Sequence, residues 1–598
     1  MNAIQTAELV GDAPASFPVA VRKPRRLWVA VLLVAAYWIA LAIAKRLDLP
    51  IYAGFFTTVG LSAALGLALA IWWLTSGGVR LRDRFLIFLA LIAIGVATVL
   101  VSDKSVGPIG LLFFAVPVSL TIGVIWLLFT RNRSAAVRNV GVIGSFVVLC
   151  GLTSLIRIEG VDGDQQAAVH SRWSKSAEDL YLAERTAGGT RGSAQAMPSK
   201  LTSAPGDWTD FRGPDRLGEV RDVKIATDWQ SRPPELIWKQ RIGPAWSSIL
   251  VVGNRLFTQE QRDKSEAVVC LDAATGHELW SHEYLARWSD GQAGAGPRST
   301  PVFHDGRLYA FGATGVLNCL DAANGKVVWS RDVAADSAAA TPMWGFSGSP
   351  LVVDGVVIVY AGGKEDKGLL AYAVDSGKPA WSVAAGPVSY SSPQVVTIRG
   401  MRQVLFLSDA GLVAVELRTG KTVWEHKAAA SQMWRVALPR QIDEASVVVG
   451  SEDMGLVRLD VTGDAKSFEP SHRWETHAFR PAYNDFVSLD GFIYGFDESF
   501  FCCIDAATGK RRWKGGRYGH GQVLLLLPQK LLLVTAEDGQ AVLVSARPDR
   551  HEELGRFQAV TGKTWNHPAI ARGCLFVRNA EEIACYKLPS PTDVKKKS

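Results

Sequence analysis

Apolar and polar residues follow two different patterns along this chain. Between Leu27 and Ile156 the apolar residues run on in long uncharged stretches, and five can be separated: Leu27 to Ala44, Ile51 to Thr75, Phe85 to Ser102, Pro108 to Thr130, and Asn139 to Ile156. Each reaches the roughly 18 to 20 residues that a helix needs to cross about 30 Å of hydrocarbon, so five spans are predicted. From about Asp207 the pattern changes to short alternating runs separated by Gly, Asn, Asp and Thr, which predicts strands joined by tight turns.

The first apolar run has a rival reading as a signal peptide, with Arg22, Lys23, Arg25 and Arg26 ahead of it and Ala42-Ile43-Ala44 at its end. Four further spans follow directly, which favours a retained anchor. Loop charge gives the orientation. Arg22, Lys23, Arg25, Arg26, Arg80, Arg82, Arg84, Arg131, Arg133 and Arg138 fall on one side, and Lys45, Arg46 and Lys104 on the other. The basic side is cytoplasmic by the positive-inside rule. This predicts an inner-membrane, multi-pass protein with its N-terminus in the cytoplasm and everything after Ile156 in the periplasm. The five runs contain no Asp, Glu, Lys, Arg or His, which argues against an ion or proton pathway. Pro117 and the glycines of these runs read as kink and packing residues.

From Glu159 to about Ser203 the chain is rich in Gly, Ala, Ser and charge, with Gly188, Gly189 and Gly192 close together. It reads as a flexible tether carrying one short helix near Ser176 to Arg185. Beyond it a repeat recurs. Its clearest copies run from Cys270 to Trp280, Cys319 to Trp329 and Cys503 to Trp513, with weaker ones from Ala371 to Trp381 and Ala414 to Trp424. In each, Trp follows a turn Gly by four residues. With Trp474 from a degenerate copy, successive Trp residues are 49, 52, 43, 50 and 39 apart, the spacing of four-stranded propeller blades. The copy is a hairpin: a strand ends at Asp, Thr-Gly or Asn-Gly turns the chain, and the next strand carries the Trp. Trp238, Trp280, Trp329, Trp381, Trp424 and Trp513 are therefore expected to dock one blade on the next.

A second alignment finds eight inner strands, which follow Ser247-Ser248, Ser299-Thr300-Pro301, Ser349-Pro350, Ser391-Ser392-Pro393, Leu438-Pro439, Phe486-Val487-Ser488, Gly519-His520-Gly521 and Asn566-His567-Pro568. The eighth blade lacks a closing Trp strand, and Pro234 to Gly243, with Ile237-Trp238, is expected to supply it. The predicted fold class is an all-α transmembrane helical region followed by an all-β eight-bladed propeller. The predicted divisions are residues 1–26 (cytoplasmic), 27–156 (five-helix transmembrane domain), 157–206 (linker), 207–588 (propeller) and 589–598 (tail).

Composition narrows the function. Of 598 residues 48% are apolar and 20% charged, as in globular proteins. The net charge of +7 is spread thinly, and the longest basic run is Lys595 to Lys597, so nucleic acid is not an expected partner. Seven Cys are too few for a disulfide scaffold. Zinc-type spacing, a P-loop, a Ser-His-Asp motif and a dinucleotide fingerprint are not recognisable. Neighbouring Cys502 and Cys503 lie about 3.8 Å apart in a strand and point to opposite faces, which makes a buried pair of free thiols the expectation.

The repeat resembles the quinoprotein (PQQ) dehydrogenase-like eight-bladed propellers, whose blade signature Ala-x-Asp-x-x-Thr-Gly-Lys-x-x-Trp is matched loosely five times between about Asp207 and Leu588. Trp208-x-x-Phe211-Arg-Gly-Pro214, Trp344 to Pro350, Tyr390-Ser-Ser-Pro393 and Trp565-Asn-His-Pro568 look like the compact PQQ-like repeat proteins related to BamB, a scaffold of outer-membrane protein assembly. Five spans ahead of such a propeller are similar to membrane-bound glucose dehydrogenase. The second resemblance implies PQQ on the propeller axis, a Ca²⁺ held by Glu, Asn and Asp oxygens, and an Asp base. Candidate funnel residues are Arg298, Trp344, Tyr390, Arg435, Asn484, Asp485, His520, Trp565, Asn566 and His567, with Asp485 as the candidate catalytic base. They do not assemble a Glu/Asn/Asp set in that family's order, and the long insertions of the catalytic enzymes are missing. The expected function is therefore a membrane-anchored periplasmic module that binds or scaffolds a protein or envelope partner. The alternative is a PQQ-dependent dehydrogenase oxidising a sugar or alcohol and passing electrons to quinone.

Overall fold

The computed structural model describes residues 27–47, 51–75, 81–163, 166–188, 200–427, 435–464 and 467–591. The basic N-terminal segment before Leu27, Gly189, Gly192 and the tail lysines fall outside these residues. The described chain divides into two compact units, one built on the helices up to Arg157 with His170–Arg172, the other on Ile158–Val169 and the chain from Trp173.

The first unit holds five helices long and apolar enough to cross a membrane: α1 (Leu27–Ala44), α2 (Ile51–Thr75), α3 (Leu81–Val101), α4 (Gly107–Phe129) and α5 (Ala135–Thr153). The third begins four residues before the apolar run at Phe85, because Leu81-Arg-Asp-Arg84 continues the helix into its charged flank. The fourth contains a π-turn over Leu111–Ala115, immediately before Pro117, whose missing N–H breaks the regular ladder. α4 and α5 meet at Gly141: a Cβ there would lie 1.8 Å from the Trp126 indole nitrogen, so the missing side chain allows the contact.

The second unit is an eight-bladed propeller of four-stranded antiparallel sheets. Blade 1 spans Leu250 to Leu285, blade 2 Val302 to Asp332, blade 3 Leu351 to Val383 and blade 4 Gln394 to Lys427. Blades 5, 6 and 7 span Arg440 to Thr476, Val487 to Arg517 and Gln522 to Gln558. Blade 8 is composite. Ala569–Ala571, Cys574–Arg578 and Glu582–Lys587 pair in order, and Glu235–Arg241 adds the outer strand, with Trp238 opposite Cys585. The expected strand from the N-terminal side closes the ring.

Tryptophan joins blade to blade by one recurring contact. The ring on an outer strand lies over the turn glycine of the next blade: Trp238 on Gly276, Trp280 on Gly325, Trp329 on Gly377, Trp381 on Gly420 and Trp474 on Gly509. Gly325 meets two demands at once, a φ of +74° and room for the indole, since a Cβ would approach Trp280 to 2.5 Å. The indole N–H then usually donates into the same turn, Trp329 to Val374 O at 2.8 Å and Trp381 to Leu417 O at 3.1 Å. Trp513 reaches Arg547 O of blade 7 at 2.7 Å. Trp424 differs: its N–H donates to Gln403 Oε1 in its own blade while the ring packs among Val447 and Val457 of blade 5.

Two segments outside the blades attach to this ring. Helix α6 (Ala177–Thr186), begun by a Ser176/Asp179 capping box, buries Tyr181, whose hydroxyl donates to Glu260 Oε1 at 2.6 Å. The segment from Trp208 to Val220 crosses one end of the axis. Trp208 bridges Val251, Arg216 donates to the carbonyls of Pro350 and Pro393, Arg212 donates to Phe486 O at 2.9 Å, and Glu219–Val220 adds a parallel strand to blade 7. Two buried guanidinium groups thus satisfy carbonyls at the starts of blades 3, 4 and 6.

Candidate functional site

The residues leading into the inner strands of blades 8, 1, 2, 3 and 4 are linked one to the next in a belt at the axis. The N–H of one blade's lead-in residue donates to the side chain of the next at four successive junctions: His567 to Ser248 Oγ (2.9 Å), Ser248 to Thr300 Oγ1 (2.9 Å), Thr300 to Ser349 Oγ (3.0 Å) and Ser349 to Ser392 Oγ (2.8 Å). Leu438 interrupts the series because it has no acceptor, and its own N–H donates to Asp485 Oδ1 at 2.7 Å. The Ser/Thr-Pro pattern is explained by this geometry: a short hydroxyl reaches the neighbouring backbone, and the following proline starts the inner strand.

Two residues before each belt position the side chain points the same way, since a strand repeats its facing every second residue. Those positions hold Trp246, Arg298, Ser347, Tyr390, Val436, Tyr483 and Trp565. With Trp344 they wall an axial cavity of about 140 Å³, floored by Phe211, Asp485 and His567. The aromatic rings form an arc: Tyr390 to Trp344 4.9 Å between centroids, Trp344 to Tyr483 6.5 Å, Tyr483 to Trp565 4.8 Å and Trp565 to Trp246 4.9 Å. Phe211 meets His567 edge to face at 4.9 Å, and with the Trp208 to Val220 crossing behind it the cavity is blind.

The candidate residues named from sequence fall in three places. Arg298, Trp344, Tyr390, Asp485, Trp565 and His567 line the cavity. Asn484, His520 and Asn566 are buried beside it: Asn484 Oδ1 accepts from Ala482 N at 3.1 Å, His520 N–H donates to Glu537 Oε2 at 3.0 Å, and Asn566 Nδ2 donates to Ser247 O at 2.8 Å. Arg435 lies elsewhere, lining a cleft with residues of blades 4 and 5, where its guanidinium holds Ser451 (2.9 Å) and Asp453 (2.6 Å). Arg298 is committed to Asp290 and to the carbonyls of Gly294 and Gly296.

Three further residues shape the mouth. Glu537 accepts from the Trp565 indole at 2.7 Å. Burial alone would raise its carboxyl, but His520 and Trp565 outweigh that and hold it at about 2. Lys563 stands over Trp565 (4.5 Å) and Trp246 (5.2 Å), and burial lowers its pKa to about 8. Gln292 donates to the Tyr483 hydroxyl at 2.8 Å. Trp246 and Tyr483 carry a sequence signal, an aromatic two residues before the belt position; Glu537 and Lys563 lie in inter-strand loops and carry none.

On the floor, Asp485 Oδ2 is 3.7 Å from Arg212 Nε and 3.6 Å from His567 Nε2. Burial raises the Asp485 carboxyl above its usual range, against the pull of Arg212. Burial, then the Arg212 charge, drives His567 well below its ordinary value, so it is neutral. Calcium takes six to eight oxygen ligands. Among the described residues no group of three His, Cys, Asp or Glu is placed to hold a metal ion. Asp485 is already engaged by Arg212 and a backbone N–H. The cavity also falls below the roughly 300 Å³ at which small-molecule sites begin, and matches the approximately 150 Å³ known to admit one benzene ring. Among the described residues no calcium or quinone site is assembled. Cys502 and Cys503 are free and buried in separate clusters, with Phe479 and with Trp513 respectively.

Residues 264–515 match the model of a family described as outer membrane protein assembly factor BamB. No curated protein sequence matches the chain. Among solved structures, BamB from Moraxella catarrhalis is similar at 14% identity, covering 59% of this chain and 100% of that one, with a TM-score of 0.44. A quinohemoprotein alcohol dehydrogenase from Pseudomonas putida HK5 is similar at 15% identity, covering 68% and 84%, with a TM-score of 0.49. A europium-containing methanol dehydrogenase is similar at 13% identity, covering 64% and 98%, also at 0.49. The chain thus carries five apolar helices and an eight-bladed propeller, and residues 264–515 of that propeller match this family model.

Proposed function

We propose that this protein is a membrane-anchored binding module of the cell envelope, with its propeller in the periplasm and its axial funnel and blade ends offered to a protein or envelope partner. The observation that carries this reading is the belt. Ser and Thr side chains at the inner-strand starts are spent on linking one blade to the next, and the floor carboxylate is paired with Arg212. The orientation rests on the loop charges.

The alternative, a PQQ-dependent dehydrogenase serving membrane quinone, is favoured by the aromatic-walled position on the axis. Titration of the purified protein with PQQ and Ca²⁺ separates the two. The binding-module reading expects no quinone absorbance and no dye reduction with alcohols or aldoses; a saturable quinone spectrum with substrate-dependent turnover overturns it. A photo-crosslinker placed at exposed Met343, beside Trp344, is expected to capture one defined envelope protein.

A further inference from the structure

The mouth of the funnel already holds a piece of peptide. Val161 N–H donates to Gln292 O at 3.1 Å, Val161 O accepts from Lys563 Nζ at 2.9 Å, and Gly163 N–H donates to Glu537 Oε1 at 2.6 Å. All three contacts use main chain, so they are available to any extended segment. The groups that receive it are fixed by the propeller itself: Glu537 by the Trp565 indole and the His520 N–H, Lys563 by Gln292 O at 3.1 Å and by the faces of Trp565 and Trp246. Two glycines of the segment are required for their lack of a side chain: a Cβ at Gly160 would lie 2.6 Å from Gln292 O, and one at Gly163 1.8 Å from His520 Nδ1.

Behind this backbone-binding rim lies the aromatic cavity, and residues 161–163 are not among those that line it. At about 140 Å³ it has the volume of a single six-membered ring. Its walls are π faces, which favour an aromatic guest in offset or edge-on contact. The rim and the cavity together describe one ligand: an extended segment that repeats the main-chain contacts of residues 161–163 and places an aromatic side chain in the cavity.

We propose that the funnel mouth is a peptide-binding site, occupied in cis by residues 161–163 and open to an extended segment of a partner protein bearing a Trp, Tyr or Phe that enters the cavity. This rests on the binding-module reading and names its ligand. The segment in cis reduces the apparent affinity for the partner by the fraction of molecules in which the mouth is free, so releasing it strengthens binding by the inverse of that fraction.

The test uses the full chain in detergent and fluorescein-labelled capped pentapeptides Gly-Gly-Xaa-Gly-Gly with Xaa as Trp, Tyr or Ala, followed by fluorescence polarisation. Gly163→Val drives its new side chain into His520 and ejects the segment; Val161→Pro removes the donor to Gln292 and leaves every propeller residue in place. Release is read independently as faster amide exchange at residues 158–163. The expected result is that both variants bind the Trp and Tyr peptides about tenfold or more tightly than the natural protein does. The Ala peptide stays unbound, and Trp344→Ala added to either variant abolishes binding. Equal binding of Trp and Ala peptides, or no gain once release is confirmed, overturns the proposal. A partner still captured at Met343 in that case leaves the binding-module reading standing, whereas saturable PQQ binding removes both.

Discussion

The N–H of Ser349 donates to Ser392 Oγ at 2.8 Å, and both residues are buried at the axis. The contact ties blade 3 to blade 4 through a single hydroxyl. Its neighbours in the belt do the same, so short hydroxyl side chains join blade 8 through blade 4 at the axis. Ser392→Ala leaves a buried N–H without an acceptor, at a cost of about 1–3 kcal/mol. Denaturant unfolding of the propeller followed by tryptophan fluorescence is expected to show that loss, and Ser392→Thr is expected to recover part of it.

The tryptophan–glycine stack predicts a larger effect on the outer side. Gly325→Ala sets a Cβ 2.5 Å from Trp280 at a φ of +74°. The left-handed backbone costs about 1–2 kcal/mol and the overpacking about 1–3 kcal/mol more. The variant is expected to unfold at clearly lower denaturant, and Trp280→Ala in the same chain to remove the packing part while leaving the backbone part.

Closure through Trp238 can be tested separately. Its indole lies on Gly276 and donates to Ala273 O at 3.0 Å, joining the composite blade 8 to blade 1. Trp238→Ala is expected to cost about 3 kcal/mol or more. It should also speed proteolysis between Glu235 and Arg241, because this outer strand is the one that must be recruited from the other end of the chain.

Two buried groups set the acid limit of the fold. His567 resists protonation in the folded state, whereas in the unfolded chain it titrates near its ordinary 6.5. The unfolded chain therefore binds the extra proton, and stability falls as pH drops below about 6.5. Glu537 acts lower down: its folded pKa of about 2 lies below the ordinary 4.5, so its contribution is complete above 4.5 and is lost as pH falls toward 2. Unfolding measured from pH 8 to pH 3 is expected to show both declines, the first flattened in His567→Gln and the second in Glu537→Gln.

The propeller was legible because its repeat is dense. Five Gly-to-Trp intervals of four residues and eight aligned inner-strand lead-ins, most of them small or polar, give blade number and closure without any tertiary information. The site was legible only in part. Asp485 and His567 stand out as polar residues at the starts of inner strands, and Trp344 and Trp565 as aromatic residues beside them. Glu537 and Lys563 become significant only when the fold brings them against Gly163 and Val161, 374 and 402 residues away in sequence. Sequence composition made the stretch before Asp207 a spacer with one short helix; that helix is present and packs on blade 1, and the contacts composition did not signal are that docking and a strand end in the funnel mouth. Glycine is the reason for that contrast, since the same residue type that signals slack in a polar segment is the one that lets Gly163 come against His520.

The composite eighth blade has a consequence for biogenesis. Glu235–Arg241 is synthesised before any of blades 1 to 7 and finds its partner only when Glu582–Lys587 has emerged. Until then the nascent molecule is an unclosed arc with an unsatisfied edge at each extremity. Premature termination upstream therefore leaves the ring without its latch, and proteolytic quality control meets either a sealed product or an open arc with exposed edges.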